Sequence, residues 1–227
     1  MATTYPNQSN GASTGPGLQA PRPLGEEIKE LPRQYINVLT RPGVTTLAAE
    51  MGKASWRMVW VQLLGWGIIS TILGFLAQLI FNGIGYRYSG YLSPEAIQEL
   101  SANSASYGAI IGVPLGFFIW MGLVYLLAKA FHGQGTFLAQ SYATLLFQAP
   151  LGILGSILGL FPYFGLLGLA VFIYGIVLQV FALMAVHRLS GGKATAVVFL
   201  PAMVITLLII ALVVTFISVL VGVFLTR

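Results

Sequence analysis

The chain contains no cysteine and no aspartate, and few charges of either sign. The missing thiol excludes disulfides, a thiolate nucleophile and any Cys-ligated metal centre. Carboxylate chemistry is left to six acidic residues, all of them glutamate. Charged residues make up 7% of the 227, against about 25% in ordinary soluble domains. No ionisable group stands in the middle of any long apolar run. Proton-coupled transporters and intramembrane hydrolases usually need such groups in mid-membrane, so that scarcity argues against both.

What is present is apolar surface, at 57% of the residues. A soluble domain of this length could not keep so much of it from water, whereas lipid removes the difficulty. Five long runs carry it, over residues 58–81, 107–131, 142–161, 163–186 and 198–225. Each supplies the ~20 apolar residues needed to cross the hydrocarbon layer. Phe161-Pro162-Tyr163, with Gly159 and Gly165 beside it, separates the third run from the fourth by a tight turn. The runs are continuous rather than alternating, which excludes the strands of a β-barrel. An odd number of spans also disfavours a simple two-fold inverted repeat. The expected fold is an all-α membrane protein: a five-span transmembrane helical bundle over residues 58–227, with a disordered tail and a short interfacial helix before it.

Residues 1–39 form the expected disordered, polar, cytoplasmic tail. Its first 25 residues are mainly Ser, Thr, Asn, Gln, Gly and Pro, and they cannot bury enough surface to offset chain entropy. Residues 26–39 are mixed in character and broken by Pro32. No basic segment followed by an apolar one marks a signal peptide there. Residues 40–57 hold the short amphipathic helix. Val44, Leu47, Ala48 and Met51 follow i, i+3, i+4, i+7 spacing, and Pro42 with Thr45 or Thr46 supplies start signals. Such a helix lies in the membrane interface or packs on the protein's own spans, and both alternatives stand.

The positions of Lys and Arg set the orientation. Arg22, Lys29, Arg33, Arg41, Lys53 and Arg57 precede the first span, Lys129 ends the second, and Arg188 and Lys193 separate the fourth from the fifth. These nine share one side, and the other side has only Arg87 and Arg227. The positive-inside rule then predicts a cytoplasmic N-terminus and an external C-terminus. The net charge of +5 reflects topology and attraction to anionic lipid, and no nucleic-acid partner is expected.

Several motifs fail on inspection. Gly191-Gly192-Lys193 lacks the upstream glycine and the Ser/Thr of a phosphate loop, and these glycines are expected to end the fourth helix. His132 and His187 stand where they could face each other near the inner surface, but no Asp or Cys is there to complete a metal site. No nucleophile, base and orienting group converge, so neither catalytic residues nor a cofactor are expected. Gly108, Gly112 and Gly116 in the second span, and Gly155 and Gly159 in the third, form small-xxx-small ridges suited to helix packing. Packing within the chain is preferred over a homo-oligomer interface. Pro114 and Pro150 are expected to kink their spans. Gln62, Gln148 and Gln179 lie roughly 7–11 Å in from the cytoplasmic ends of their spans. They form a candidate polar layer, read as structural glue of ~1 kcal/mol per bond ahead of a binding role. In the external loop 82–106, Ser93-Pro94-Glu95 starts a short surface helix.

Ser141-Tyr142-Ala143 with Ala149-Pro150, and the run from Gln179 that ends in His-Arg-Leu-Ser-Gly-Gly-Lys-Ala, resemble the Yip family, the Ypt/Rab-interacting integral-membrane proteins. The resemblance covers roughly residues 40–225, and the segment from Thr40 to Trp56 is similar to prokaryotic members. It implies five spans with a cytoplasmic N-terminus, in a prokaryotic plasma membrane. The eukaryotic branch of that family carries an Asp-Leu-Tyr-Gly-Pro motif before its first span and binds prenylated Rab-type GTPases. This chain has no Asp, and Arg41-Pro42-Gly43 does not replace the motif, so that role is not carried over. The expected function is a non-enzymatic membrane scaffold that recruits a cytoplasmic protein partner through its N-terminal region or organises membrane lipid. The alternative is a transporter or channel for a lipid or neutral solute.

Overall fold

The computed structural model describes residues 23–88, 108–161 and 164–225. They form α1 (Leu24–Thr40), α2 (Val44–Glu50) with a 3-10 turn at Met51–Lys53, α3 (Trp56–Tyr88), α4 (Gly108–Ala130), α5 (Phe137–Gly159), α6 (Gly165–His187) and α7 (Gly191–Leu225). Helices α3 to α7 are the five that are long and apolar enough to cross a membrane. No strand occurs among the described residues. These helices are apolar nearly all round, as lipid-immersed helices are. Large side chains such as Ile72, Leu115, Leu166 and Leu207 remain on the outside of the bundle.

The spans close into a ring. Helix α4 packs on α3, α3 on α5, α5 on α6, α6 on α7, and α7 returns to α4. Short connections tie the ring together at the end nearest α1 and α2, here termed the inner end. After α4, the His132 N–H donates to Lys129 O at 2.9 Å and the Gly133 N–H to Ala128 O at 2.8 Å. His132 itself is left-handed, at φ 67. This is a Schellman ending with histidine where glycine is common. Gly133 follows because a Cβ there would stand 2.7 Å from both Ala128 O and His187 Nδ1. Thr136 then caps α5, its Oγ1 accepting the Ala139 N–H at 3.2 Å.

The connection from α6 to α7 corrects one expectation. Arg188, at φ 55, takes the left-handed position that ends α6. Gly191 and Gly192 therefore open α7, and the fifth span starts at Gly191 rather than at residue 198. The Ala194 N–H donates to Ser190 O at 2.9 Å within this first turn.

The N-terminal region brings a larger correction. The stretch expected to remain an unstructured tail to residue 39 is helical from Leu24 onward. Glu26 and Glu27 occupy its first turn, where the helix dipole favours them. Leu31, Gln34 and Val38 form a buried stripe at helical spacing against α5. Pro32 sits inside the helix on its exposed side. It removes one intrahelical donor without interrupting the buried stripe. Residues 1–22 lie outside the described residues. Helix α2 packs on α6 through a buried Leu47, with Val44 and Met51 half-buried and Ala48 exposed. This helix packs on the protein's own spans. It begins after Gly43, with no side-chain cap from Thr45 or Thr46.

The core is concentrated at the inner end. Every residue of α5 from Gln140 to Phe147 is buried, because α1, α3, α4 and α6 surround that half of the helix. Pro114 and Pro150 lie inside the unbroken helices α4 and α5, and Pro201 lies inside α7. The expected surface helix at Ser93-Pro94-Glu95 falls outside the described residues.

Candidate functional site

A half-open cavity of about 530 Å³ is lined by residues of all five spans. Trp66 of α3, Trp120 of α4, Gln148 and Gly152 of α5, Gly175 and Gln179 of α6, and Val198 and Phe199 of α7 all contribute to its wall. Its volume is in the range of small-molecule sites, and its lining is mostly apolar with a few polar groups. Glycine permits part of this shape. A Cβ on Gly152 would stand 2.4 Å from ring carbons of Trp66, so only glycine lets that indole lie against α5. On the neighbouring face, a Cβ on Gly67 would meet Ala109 O at 3.1 Å, which marks the close crossing of α3 and α4.

The expected glycine ridges are not these contacts. Nothing lies within 4 Å of a Cβ built at Gly112, Gly116, Gly155 or Gly159. The surroundings of Gly108 lie outside the described residues. Regular spacing guarantees a smooth face on a helix. Which face turns toward a neighbour is set by the other helices, here at Gly67 and Gly152.

The glutamine layer is likewise split. The three amides make no hydrogen bond to one another. Gln62 turns back on its own helix, its Nε2 donating to Met58 O at 3.1 Å. Gln179 is 5% exposed, and its Nε2 donates to Thr144 Oγ1 at 3.4 Å. Gln148 and Gln179 both line the cavity, and the Oε1 of each is buried with no hydrogen-bond partner among the described residues. Two of the three predicted glutamines therefore share one site, and Gln62 is not part of its wall.

A second polar group lies at the inner end, where His187 pairs with Gln140, a residue outside the expected site. His187, 1% exposed, has its Nε2 2.7 Å from Gln140 Oε1. Gln140 Nε2 donates in turn to Met121 O at 3.2 Å. The Gln140 oxygen accepts from the imidazole Nε2–H, and the unit joins α4, α5 and α6. Tyr125 lies beside the imidazole, with ring centroids 5.8 Å apart. His132 is exposed, and His187 is instead engaged by Gln140. Among the described residues no three His, Cys, Asp or Glu side chains cluster at metal-binding range. The signal available in the sequence was a polar cluster at the start of the third run, with Gln140 and Ser141 just before it and Thr144 and Gln148 within it.

Two tyrosines hold helix α1 to the bundle. The Tyr142 hydroxyl donates to Gln34 Oε1 at 2.8 Å, and both side chains are buried. The Tyr174 hydroxyl donates to Leu39 O at 2.6 Å, satisfying one of the carbonyls that the end of α1 leaves open. Burial pushes the Tyr35 phenol well above its ordinary range, so it stays protonated. Beside this cap lies a polar crevice of about 560 Å³, lined among others by Glu30, Arg33, Ile36, Arg41, Glu50 and Lys53. Lys53 Nζ bridges Glu50 Oε2 at 2.8 Å and Glu30 Oε2 at 3.5 Å.

Five apolar helices in a closed ring, with a helical cap at one end, define a multi-pass integral membrane protein. The Yip1 domain matches residues 36–225, from within α1 to the end of α7, and the chain belongs to that family. No curated protein and no solved structure matches it.

Proposed function

We propose that this Yip-family protein is a non-enzymatic membrane scaffold, in which the spans anchor the chain in lipid and the α1–α2 cap presents its crevice to a cytoplasmic protein partner. The observation that carries this reading is the buried Tyr142–Gln34 bond. It holds a charged surface in fixed register on the bundle, as a docking surface requires. Arg33 and Arg41 line the crevice and are not ion-paired among the described residues, so a partner segment with carboxylates is the complementary one. The Lys and Arg distribution supports a cytoplasmic position for the cap, and the resemblance to prokaryotic family members supports a prokaryotic plasma membrane. A homo-oligomer would use the open Gly112–Gly116 face of α4.

The test is site-specific photocrosslinking from Ile36 in native membranes. A discrete protein adduct is expected, and Arg33→Glu with Arg41→Glu should abolish it while the protein level stays constant. An unchanged adduct pattern in that variant would reject the reading. Deleting residues 1–53 is a poor substitute, because it uncovers the part of α5 that α1 buries. A second reading, a carrier or channel for a lipid or neutral solute, draws on the cavity that all five spans line. Liposome flux across a panel of neutral solutes and lipids tests it.

A further inference from the structure

We infer that the partner segment that fits the crevice is extended and carries two carboxylates four residues apart, one for Arg33 and one for Arg41, with the backbone between them on Asn37. This rests on the scaffold reading and gives its partner a shape. The first ground is which wall groups are free. Gln34 accepts from Tyr142, Thr40 Oγ1 donates to Ile36 O at 2.6 Å, and Lys53 spans Glu50 and Glu30. That leaves Arg33, Asn37 and Arg41 as polar wall side chains with no internal partner among the described residues. Arg33 and Arg41 are exposed, and the half-buried Asn37 has no sealed side-chain atom, so a ligand can reach each.

Spacing is the second ground. Arg33, Asn37 and Arg41 stand at i, i+4 and i+8, on one stripe of α1 and its C-cap. At 1.5 Å per residue, successive members are about 6 Å apart and the two arginines about 12 Å. In an extended segment, same-face side chains recur every second residue, about 6.6 Å apart. Residues i and i+4 of such a segment therefore match the two arginines, and the peptide groups around i+2 meet Asn37. The Asn37 amide has both a donor and an acceptor to offer, and a free peptide group needs both. A helical partner has its peptide groups bonded internally and would give Asn37 none to pair with.

Charge supplies the third ground. Arg33, Arg41 and Lys53 line the crevice together with Glu30 and Glu50. Lys53 lies between the two carboxylates, so the uncompensated charge is positive and sits at the arginines. A guanidinium takes a carboxylate by two parallel bonds. A lipid phosphate is a poorer occupant. It would meet both arginines only if they bent toward each other over Asn37, and a phosphodiester has no donor for the Asn37 oxygen.

The experiment uses the full chain in phosphatidylcholine nanodiscs at low ionic strength, with fluorescence anisotropy as the readout. The probe is a labelled, end-capped peptide, Gly-Ser-Glu-Thr-Thr-Thr-Glu-Ser-Gly, in which threonine favours an extended chain. It should bind about tenfold more tightly than isomers with the glutamates adjacent or three apart, which point to opposite faces. That is the effect of losing one charged hydrogen bond. Arg33→Gln and Arg41→Gln should each weaken binding about tenfold, and Asn37→Ala about fivefold. Unchanged hydrogen exchange in α1 verifies that these variants keep the fold, and the isomer series on the unaltered protein needs no variant at all. No binding, equal binding of the isomers, or tighter binding of an Ala-rich helical peptide with glutamates seven apart would overturn the inference. So would tighter binding of glycerophosphoglycerol in competition, which would give the crevice to a lipid headgroup. Those failures leave the scaffold reading standing if the Ile36 adduct is still lost with Arg33→Glu and Arg41→Glu. An unchanged adduct rejects that reading, and this inference with it.

Discussion

Replacing Tyr142 by Phe tests whether the N-terminal cap is held as described. The Tyr142 hydroxyl lies 2.8 Å from Gln34 Oε1, and the two residues are 1% and 4% exposed. The substitution keeps the ring in place and leaves a buried amide oxygen without its donor, which costs about 1–3 kcal/mol. Since 1.4 kcal/mol corresponds to about tenfold in an equilibrium constant, opening of α1 should become about 5- to 150-fold more frequent. Hydrogen exchange of residues 31–40 in nanodiscs measures that opening directly. Gln34→Leu in the same background removes the orphaned group and should return most of the loss. The double-mutant cycle should give a coupling of roughly 0.5–3 kcal/mol. If the two single effects simply add, or if exchange in α1 does not change in Tyr142→Phe, the bond does not hold the cap and the reasoning fails.

Three further outcomes are expected. Gly152→Ala forces a methyl to within 2.4 Å of the Trp66 ring and should cost about 1–3 kcal/mol, while Gly155→Ala, which meets open space, should stay within about 0.5 kcal/mol; thermal unfolding of both variants checks the contrast, and equal effects would contradict it. His132→Gly relieves a left-handed position and should stabilise the protein by about 0.5–1 kcal/mol in the same assay, so a lower unfolding temperature would show that the imidazole contributes more than the strain. Reporter fusions at residues 1 and 227 should report opposite sides of the membrane, and a shared side would overturn the orientation.

The spans were legible because their signal is local and additive: twenty apolar residues in a row need no knowledge of their neighbours. Residues 24–40 were not, for two local reasons. Pro32 reads as a helix breaker although it falls on the exposed side, and Gln34 interrupts the apolar stripe that would have marked the buried face. Its partner, Tyr142, lies far along the chain. The same limit explains the glycines. Spacing identified smooth faces at Gly112 and Gly155, but close contact depends on which face meets another helix, and it falls at Gly67 and Gly152 instead. For the glutamines, depth alone put three residues on one level. Direction around each helix then separated Gln62 from Gln148 and Gln179, and depth carries no information about direction. Gln140 and His187, on different spans, pair by the same kind of long-range placement.

The enclosure of α5 from Gln140 to Phe147 bears on how the chain enters the membrane. This helix is the least hydropathic of the five, and Gln140, Ser141 and Thr144 would meet hydrocarbon if it were inserted alone. During synthesis it emerges after α3 and α4 and before α6. It is therefore expected to leave the insertion machinery into a groove prepared by those two earlier helices, with α6 closing the other side. The isolated segment should insert inefficiently, and the segment preceded by α3 and α4 should insert well. Membrane entry and tertiary assembly would then be one coupled event for this helix, with a fixed order imposed by the direction of translation.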